Sequence, residues 1–181
     1  MKKAWTISGM AVTAALGSLA HFFYEWSSYQ TGIGWFCPVN ESPFEHLKLL
    51  FFPALIFMAV EYFASGQPKQ NRIFADAVGL TGGMLSILVF YFTLSGVVGK
   101  TDLPVVNILI FLIGCVGTFL IRNAVLLRRK GVESRFADAV GLGVLLLFCL
   151  AFFAFTERPP KIGLFCSPDT GAYGPSDRPI F

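Results

Sequence analysis

The chain has 181 residues, of which 55% are hydrophobic and only 14% charged, and its formal net charge is +3. Soluble domains carry about 25% charged residues, so this composition, with a mean hydropathy of +0.66, excludes an ordinary water-soluble globule. The lysines and arginines gather at the ends of apolar runs and form no stripe along one face, which excludes nucleic acid as the partner of the positive charge.

Five apolar segments are predicted in chain order. The first, about Trp5 to Phe23, follows Lys2 and Lys3 and continues into Trp26, so it reads as a retained span and not as a removable signal. The second runs from about Phe44 to Phe63 and keeps its polar residues, Glu45, His46, Lys48 and Glu61, at its ends. The third covers about Phe74 to Leu94, the fourth Pro104 to Leu127 and the fifth Phe136 to Phe155. Each can cross about 30 Å of hydrocarbon at a rise of about 1.5 Å per residue.

The expected fold is therefore all-α: a polytopic five-helix membrane bundle over residues 1–156, in the inner or plasma membrane of a cell. Lys2, Lys3, Lys69, Arg72, Arg128, Arg129, Lys130 and Arg135 fall on one side of such a bundle, with Arg122 just inside it. Lys48, Lys100, Arg158, Lys161 and Arg178 fall on the other side, mixed with acids. The basic excess of the first group places the N-terminus inside and the C-terminus outside. Residues 157–181 are punctuated by proline and glycine, yet too aromatic for an ordinary disordered tail. They are expected to pack over the outer face.

Part of the bundle reads as repeated. The heptapeptide FADAVGL occurs at Phe74–Leu80 and again at Phe136–Leu142, and Gly17 and Ala15 of the first span fall in register with both copies. Such an offset suits parallel duplication of a two-helix unit. A second echo joins IGWFCP at Ile33–Pro38 to IGLFCSP at Ile162–Pro168, and it raises a disulfide between Cys37 and Cys166 in a compartment that permits one. Cys115 and Cys149 lie within spans and read as apolar filler.

The richest polar stretch begins the second span. Ser42 as N-cap, Pro43 at the first helical position and Glu45 three residues after the cap make a capping box, and Glu45 and Lys48 can pair on one face. That account leaves out the chain's two histidines, His21 and His46, which a hairpin between spans one and two brings to similar depth. With Glu25, Asn40, Glu41, Glu45 and Lys48 nearby, the cluster reads either as a structural hydrogen-bond network or as a substrate or ion site that relays a proton, grips a polar headgroup or holds a metal. A divalent metal held by His21, Glu41, Glu45 and His46 is one form of such a site. At the inner ends of the spans lie Glu61, Asp76, Arg122 and Asp138, which must face one another, water or a basic partner. Asp76 and Asp138 also suit the first turn of their own helices.

HFFYEWS at His21–Ser27, followed by PVNESPFEHLKLLFFP at Pro38–Pro53, resembles a prokaryotic family of small multi-pass membrane proteins known only as a domain of unknown function. The N-E-S-x-x-E-H-x-K core is matched by Asn40, Glu41, Ser42, Glu45, His46 and Lys48, with Phe44 before the Glu-His pair, and the tail repeats the GLF and YG elements. The resemblance implies a bacterial or archaeal membrane protein with its characteristic residues in this outer motif, and it carries no activity.

The leading functional expectation is a protein that binds or transports a small molecule or ion through the polar outer site. Five spans are few for an alternating-access carrier, so a homo-oligomer or a partner membrane subunit is expected with transport. The alternatives are a membrane-embedded enzyme at the outer face, with His21 or His46 as base and Glu41 or Glu45 as its partner, and a structural accessory subunit. Membrane lipids are the one partner the composition requires.

Overall fold

Lipid offers a backbone no water to bond, so segments that cross it must satisfy their own amides, and the helix is the local solution. The computed structural model describes residues 3–66, 69–98, 104–129 and 134–175. Lys2, Lys100, Lys130 and Arg178, used above to orient the chain, lie outside the described residues, as does the end of the tail. The long helices are α1 (Lys3–Trp26), α3 (Pro43–Ala64), α4 (Arg72–Val98), α5 (Pro104–Arg128) and α6 (Arg135–Glu157). A single turn, α2 (Thr31–Gly34), joins the first two, and a 3-10 turn at Gly163–Phe165 follows the last.

Each of the five long helices has the length and apolarity to cross a membrane. Their outward surfaces carry large apolar side chains such as Ile7, Leu19, Phe63, Val89, Leu120 and Leu147, all exposed. Water would penalise such a surface and lipid does not. The chain is an integral, multi-spanning, all-α membrane protein.

Helix α3 is the most enclosed of the five. Helix α1 packs against it, α4 packs most extensively on α5, and α6 packs on α4. Leu50, Phe51, Ala54, Phe57 and Met58 of α3 meet Leu80, Met84, Cys115, Phe119 and Phe152 in one apolar core. After α6 the chain returns over the end of the bundle, where the Phe165 ring lies tilted against Phe44, 4.5 Å away centroid to centroid.

Close approaches at glycine set the helix spacing, and two of them bear on the ends of the bundle. Pro53 sits inside α3 and has no amide hydrogen, which leaves the carbonyl of Leu49, four residues earlier, without its helical partner. Gly17 of α1 packs against that carbonyl so closely that a methyl group there would collide with it. The freed oxygen thus meets a backbone Cα–H, the kind of weak contact that recurs where helices approach closely. At the opposite end Gly141 of α6 lies on the start of α4, where an added Cβ would stand 2.6 Å from Phe74 Cα.

Gly141→Ala is expected to lower the thermal midpoint of the purified protein, because the obstructing atoms are backbone, with a cost of about 1–3 kcal/mol for overpacking. Gly143→Ala, with nothing within 4 Å of the added carbon, should leave the midpoint unchanged. Light-scattering or fluorescence melts of the two variants side by side check the contrast.

Candidate functional site

The N-terminus of α3 is built by the expected cap, with one half rearranged. Ser42 Oγ accepts from Glu45 N at 3.3 Å and Pro43 opens the helix. The Glu45 side chain does not reach back to Ser42. Asn40 Oδ1 accepts the Ser42 amide at 2.9 Å instead, and Glu45 Oε2 accepts from Val39 N at 3.0 Å.

Glu45 is released from the capping box because it serves Lys48. The Lys48 ammonium is fully buried and lies 2.5 Å from Glu45 Oε2. It also donates to Gly34 O at 2.7 Å, to Thr156 Oγ1 at 2.6 Å and, at 3.4 Å, to Cys37 O. One cation therefore joins α3 to the α2 segment and to the end of α6. Asn40 Nδ2 donates to Gly174 O at 3.0 Å and so fastens the tail.

Two side chains of the same stretch, Glu41 and His46, turn the other way and meet His21 of α1. His46 Nε2 lies 3.3 Å from Glu41 Oε2, and His21 Nε2 lies 3.6 Å from Glu41 Oε1. The two imidazole centroids are 5.4 Å apart. His21 stands one turn after Gly17 and His46 one turn before Leu49, so the close approach of those backbones is what brings the rings together. The Glu41 carboxyl, half-exposed at 44%, is held far below the usual carboxylate range by the imidazoles of His21 and His46.

His46 Nδ1 is 3.0 Å from Ser42 O. A carbonyl only accepts, so Nδ1 carries the hydrogen, and in the neutral ring Nε2 is left with a lone pair facing Glu41. Lone pair against carboxylate repels unless a proton or a metal cation lies between them. The carbonyl contact also orients the ring as such contacts do behind metal-ligating histidines. One ligand atom from each of His21, Glu41 and His46 lies within 4.8 Å of the others. A His/His/Glu cluster able to coordinate a divalent cation is therefore present. Tetrahedral zinc with bonds of about 2.0–2.1 Å spaces its ligands about 3.3 Å apart, so these groups, within 4.8 Å of one another, would draw closer around the ion.

The cluster lines a pocket of about 520 Å³. Phe22, Leu49, Tyr91, Ile108 and Phe111 give it apolar walls, and Asp169 of the tail lines it as well.

Over residues 1–175 the sequence matches a family described as a family of unknown function (DUF6512). The chain belongs to this family. No curated protein and no solved structure matches it. In this family member the motif stretch from Asn40 to Lys48 divides in two. Asn40, Ser42, Glu45 and Lys48 are buried and bonded to the fold, whereas Glu41 and His46 face the pocket with His21.

Several expectations change as a result. Glu45 lies outside the His/His/Glu grouping, its carboxylate paired with Lys48, and the Lys48 side chain is fully buried. Asn40 is taken by the tail. Glu25 is exposed on α1 and is not part of the grouping. Cys37 and Cys166 are free thiols, so the expected bridge is not formed. Burial pushes the Cys37 thiol up, against the lowering pull of Lys48.

The opposite end holds a buried charge network. Glu61 lies 2.8 Å from Arg72 Nη2 and 2.7 Å from Arg122 Nη1, and Arg122 Nε lies 2.5 Å from Asp76 Oδ1. Two carboxylates and two guanidiniums balance, and together they clamp α3, α4 and α5. Asp76 is thus an ion-pair partner and not the cap of its own helix. Asp138 also caps, but across the interface: its carboxylate accepts from Asn71 N at 2.9 Å and Phe74 N at 3.0 Å at the start of α4. Sequence reasoning missed Arg72, read as a topological charge, and Thr156, whose one signal was a hydroxyl at the end of an apolar run.

Breaking one half of a buried ion pair costs about 3–5 kcal/mol, whereas replacing both partners by apolar groups is often nearly neutral. Lys48→Met is therefore expected to destabilise the protein severely, and Glu45→Leu/Lys48→Met to recover much of the loss, as judged by unfolding midpoints in detergent. For Glu41 the sign follows from its depressed carboxyl. The group contributes stability above its ordinary value of 4.5, and that stability drains away as pH falls from there towards the folded value. Metal-free wild type should melt above Glu41→Gln at pH 6, and the gap should narrow steadily below pH 4.5.

Proposed function

We propose that this protein binds a divalent transition-metal ion at the outer face of the membrane and, through that ion, a small ligand. The observation that carries this reading is the orientation of His46: a lone pair fixed by Ser42 O, aimed at a carboxylate that a second histidine also faces. Imidazole nitrogens with one carboxylate suit zinc and its neighbours better than calcium or magnesium, which prefer all-oxygen shells. Three protein ligands would leave a fourth position for a small ligand, and all three residues line the pocket. The outer placement is supported by Lys3, Lys69, Arg128, Arg129 and Arg135, which lie in the segments at the other end of the bundle.

Binding is favoured over conduction by what fills the bundle. Glu45 and Glu61 stand about 24 Å apart along α3 at about 1.5 Å per residue. Between them Leu50, Phe51, Ala54, Phe57 and Met58 are buried in the aromatic and aliphatic core. The paired Glu61, Arg72, Arg122 and Asp76 act as a structural clamp in this reading, with no role in a path.

An enzyme is the second reading, favoured by the open coordination position, which is the usual arrangement in catalytic zinc sites. Saturable hydrolysis of an ester or phosphoester probe by the zinc-loaded protein, lost in His46→Ala, would raise it above simple binding.

Metal-stripped protein titrated with zinc in a calorimeter is expected to take up one ion per chain. His21→Ala, His46→Ala and Glu41→Gln should each weaken uptake by tenfold or more, on the order of 10–100-fold for lost coordination support, while Glu25→Gln should bind as wild type. Uptake should also fall as pH is lowered, because protons compete with the metal for the same nitrogens. Wild-type affinity in both histidine variants would overturn the assignment.

A further inference from the structure

The pocket that the histidine cluster lines has two chemically different kinds of wall, and that difference identifies the class of molecule it fits. Its volume of about 520 Å³ is that of a small-molecule site. His21, Glu41 and His46 supply its ionisable lining. Leu49 of α3, Ile87 and Tyr91 of α4 and Phe111 of α5 supply the walls of an apolar channel. Phe22 and Ile108 also line it, yet they are 47% and 57% exposed on the perimeter that faces lipid. The pocket therefore opens sideways, towards the bilayer, as well as towards the tail.

The geometry points to a single-chain membrane amphiphile with an acidic oxygen headgroup, phosphate or carboxylate, whose head completes the metal shell and whose chain fills the apolar channel. The inference rests on the metal reading above. A divalent ion with one carboxylate and two neutral imidazoles carries one net positive charge, and an anionic oxygen in the fourth position cancels it. In a site walled by hydrocarbon that cancellation is worth more than it would be in water. Without the cation the Glu41 carboxylate in the lining faces an acidic head, so the head is admitted best when the cation is bound. A soluble anion would gain nothing from the channel, and a neutral lipid nothing from the metal.

The test uses the full chain in nanodiscs of phosphatidylcholine, metal-stripped or loaded with one equivalent of zinc. Bound ligand is counted by native mass spectrometry during titration with dodecyl phosphate, inorganic phosphate or dodecyltrimethylammonium. Zinc-loaded protein should take one dodecyl phosphate at least about tenfold more tightly than stripped protein, and inorganic phosphate should bind at least about tenfold more weakly than its dodecyl ester. Zinc should bring no gain for the cationic amphiphile. Ser18, which is exposed and lines the pocket, supplies the control: Ser18→Trp should still take up zinc but lose the gain for dodecyl phosphate. Equal binding with and without zinc, inorganic phosphate as tight as its ester, or an unaffected Ser18→Trp would each overturn the inference. Zinc uptake without any preference for the amphiphile removes this inference alone, whereas failure to take up zinc removes the metal reading with it.

Discussion

A lysine ammonium with no access to solvent governs the end of the bundle that carries the candidate site. A lone buried charge costs several kcal/mol even after relaxation, so Lys48 tolerates no loose arrangement around it. Its partners come from four places in the chain: Glu45 on its own helix, the carbonyls of Gly34 and Cys37, and Thr156 at the end of α6. Satisfying that ammonium fixes the hairpin between α1 and α3, the first turn of α3 and the point where α6 ends. Asn40 then draws the tail across by holding Gly174 O.

The fixed hairpin gives Glu41 and His46 their chemistry. Both are close neighbours of the residues that serve Lys48, and both turn the other way, into the pocket. A backbone carbonyl sets the tautomer of His46, and the Gly17–Leu49 approach supplies His21 from the neighbouring helix. The result is a carboxylate between two imidazoles at the edge of an apolar bundle, an arrangement that attracts a cation. A proton and a divalent cation would compete for that place, and the cation would be favoured where the nitrogens are neutral.

The five spans were legible because lipid imposes a simple rule on composition: long apolar runs bounded by charge. The nearness of His21 and His46 was legible too, since a hairpin between consecutive spans returns its ends to the same depth. What the sequence could not distinguish was Glu41 from Glu45. Both are acids beside the same helix start, and only Thr156, more than a hundred positions away, together with Lys48 draws one of them inward. The two copies of FADAVGL make the same point. Identical residues give Asp76 an arginine on α5 and Asp138 the amides at the start of α4, because each partner lies on another helix. The echo around Cys37 and Cys166 likewise described local chain and not pairing. Cys37 is buried beneath Lys48, while the Cys166 thiol lies 3.7 Å from Ser167 O.

The central claim is that the exposed half of the motif stretch, with His21, is a divalent-cation site. Zinc-edge X-ray absorption on the zinc-loaded protein tests it most directly, because it reads the ligand atoms themselves. The account predicts a shell of nitrogen and oxygen donors with the scattering pattern of two imidazoles, reduced to one in His46→Ala. Sulfur in the shell, or a shell without imidazole, would contradict it.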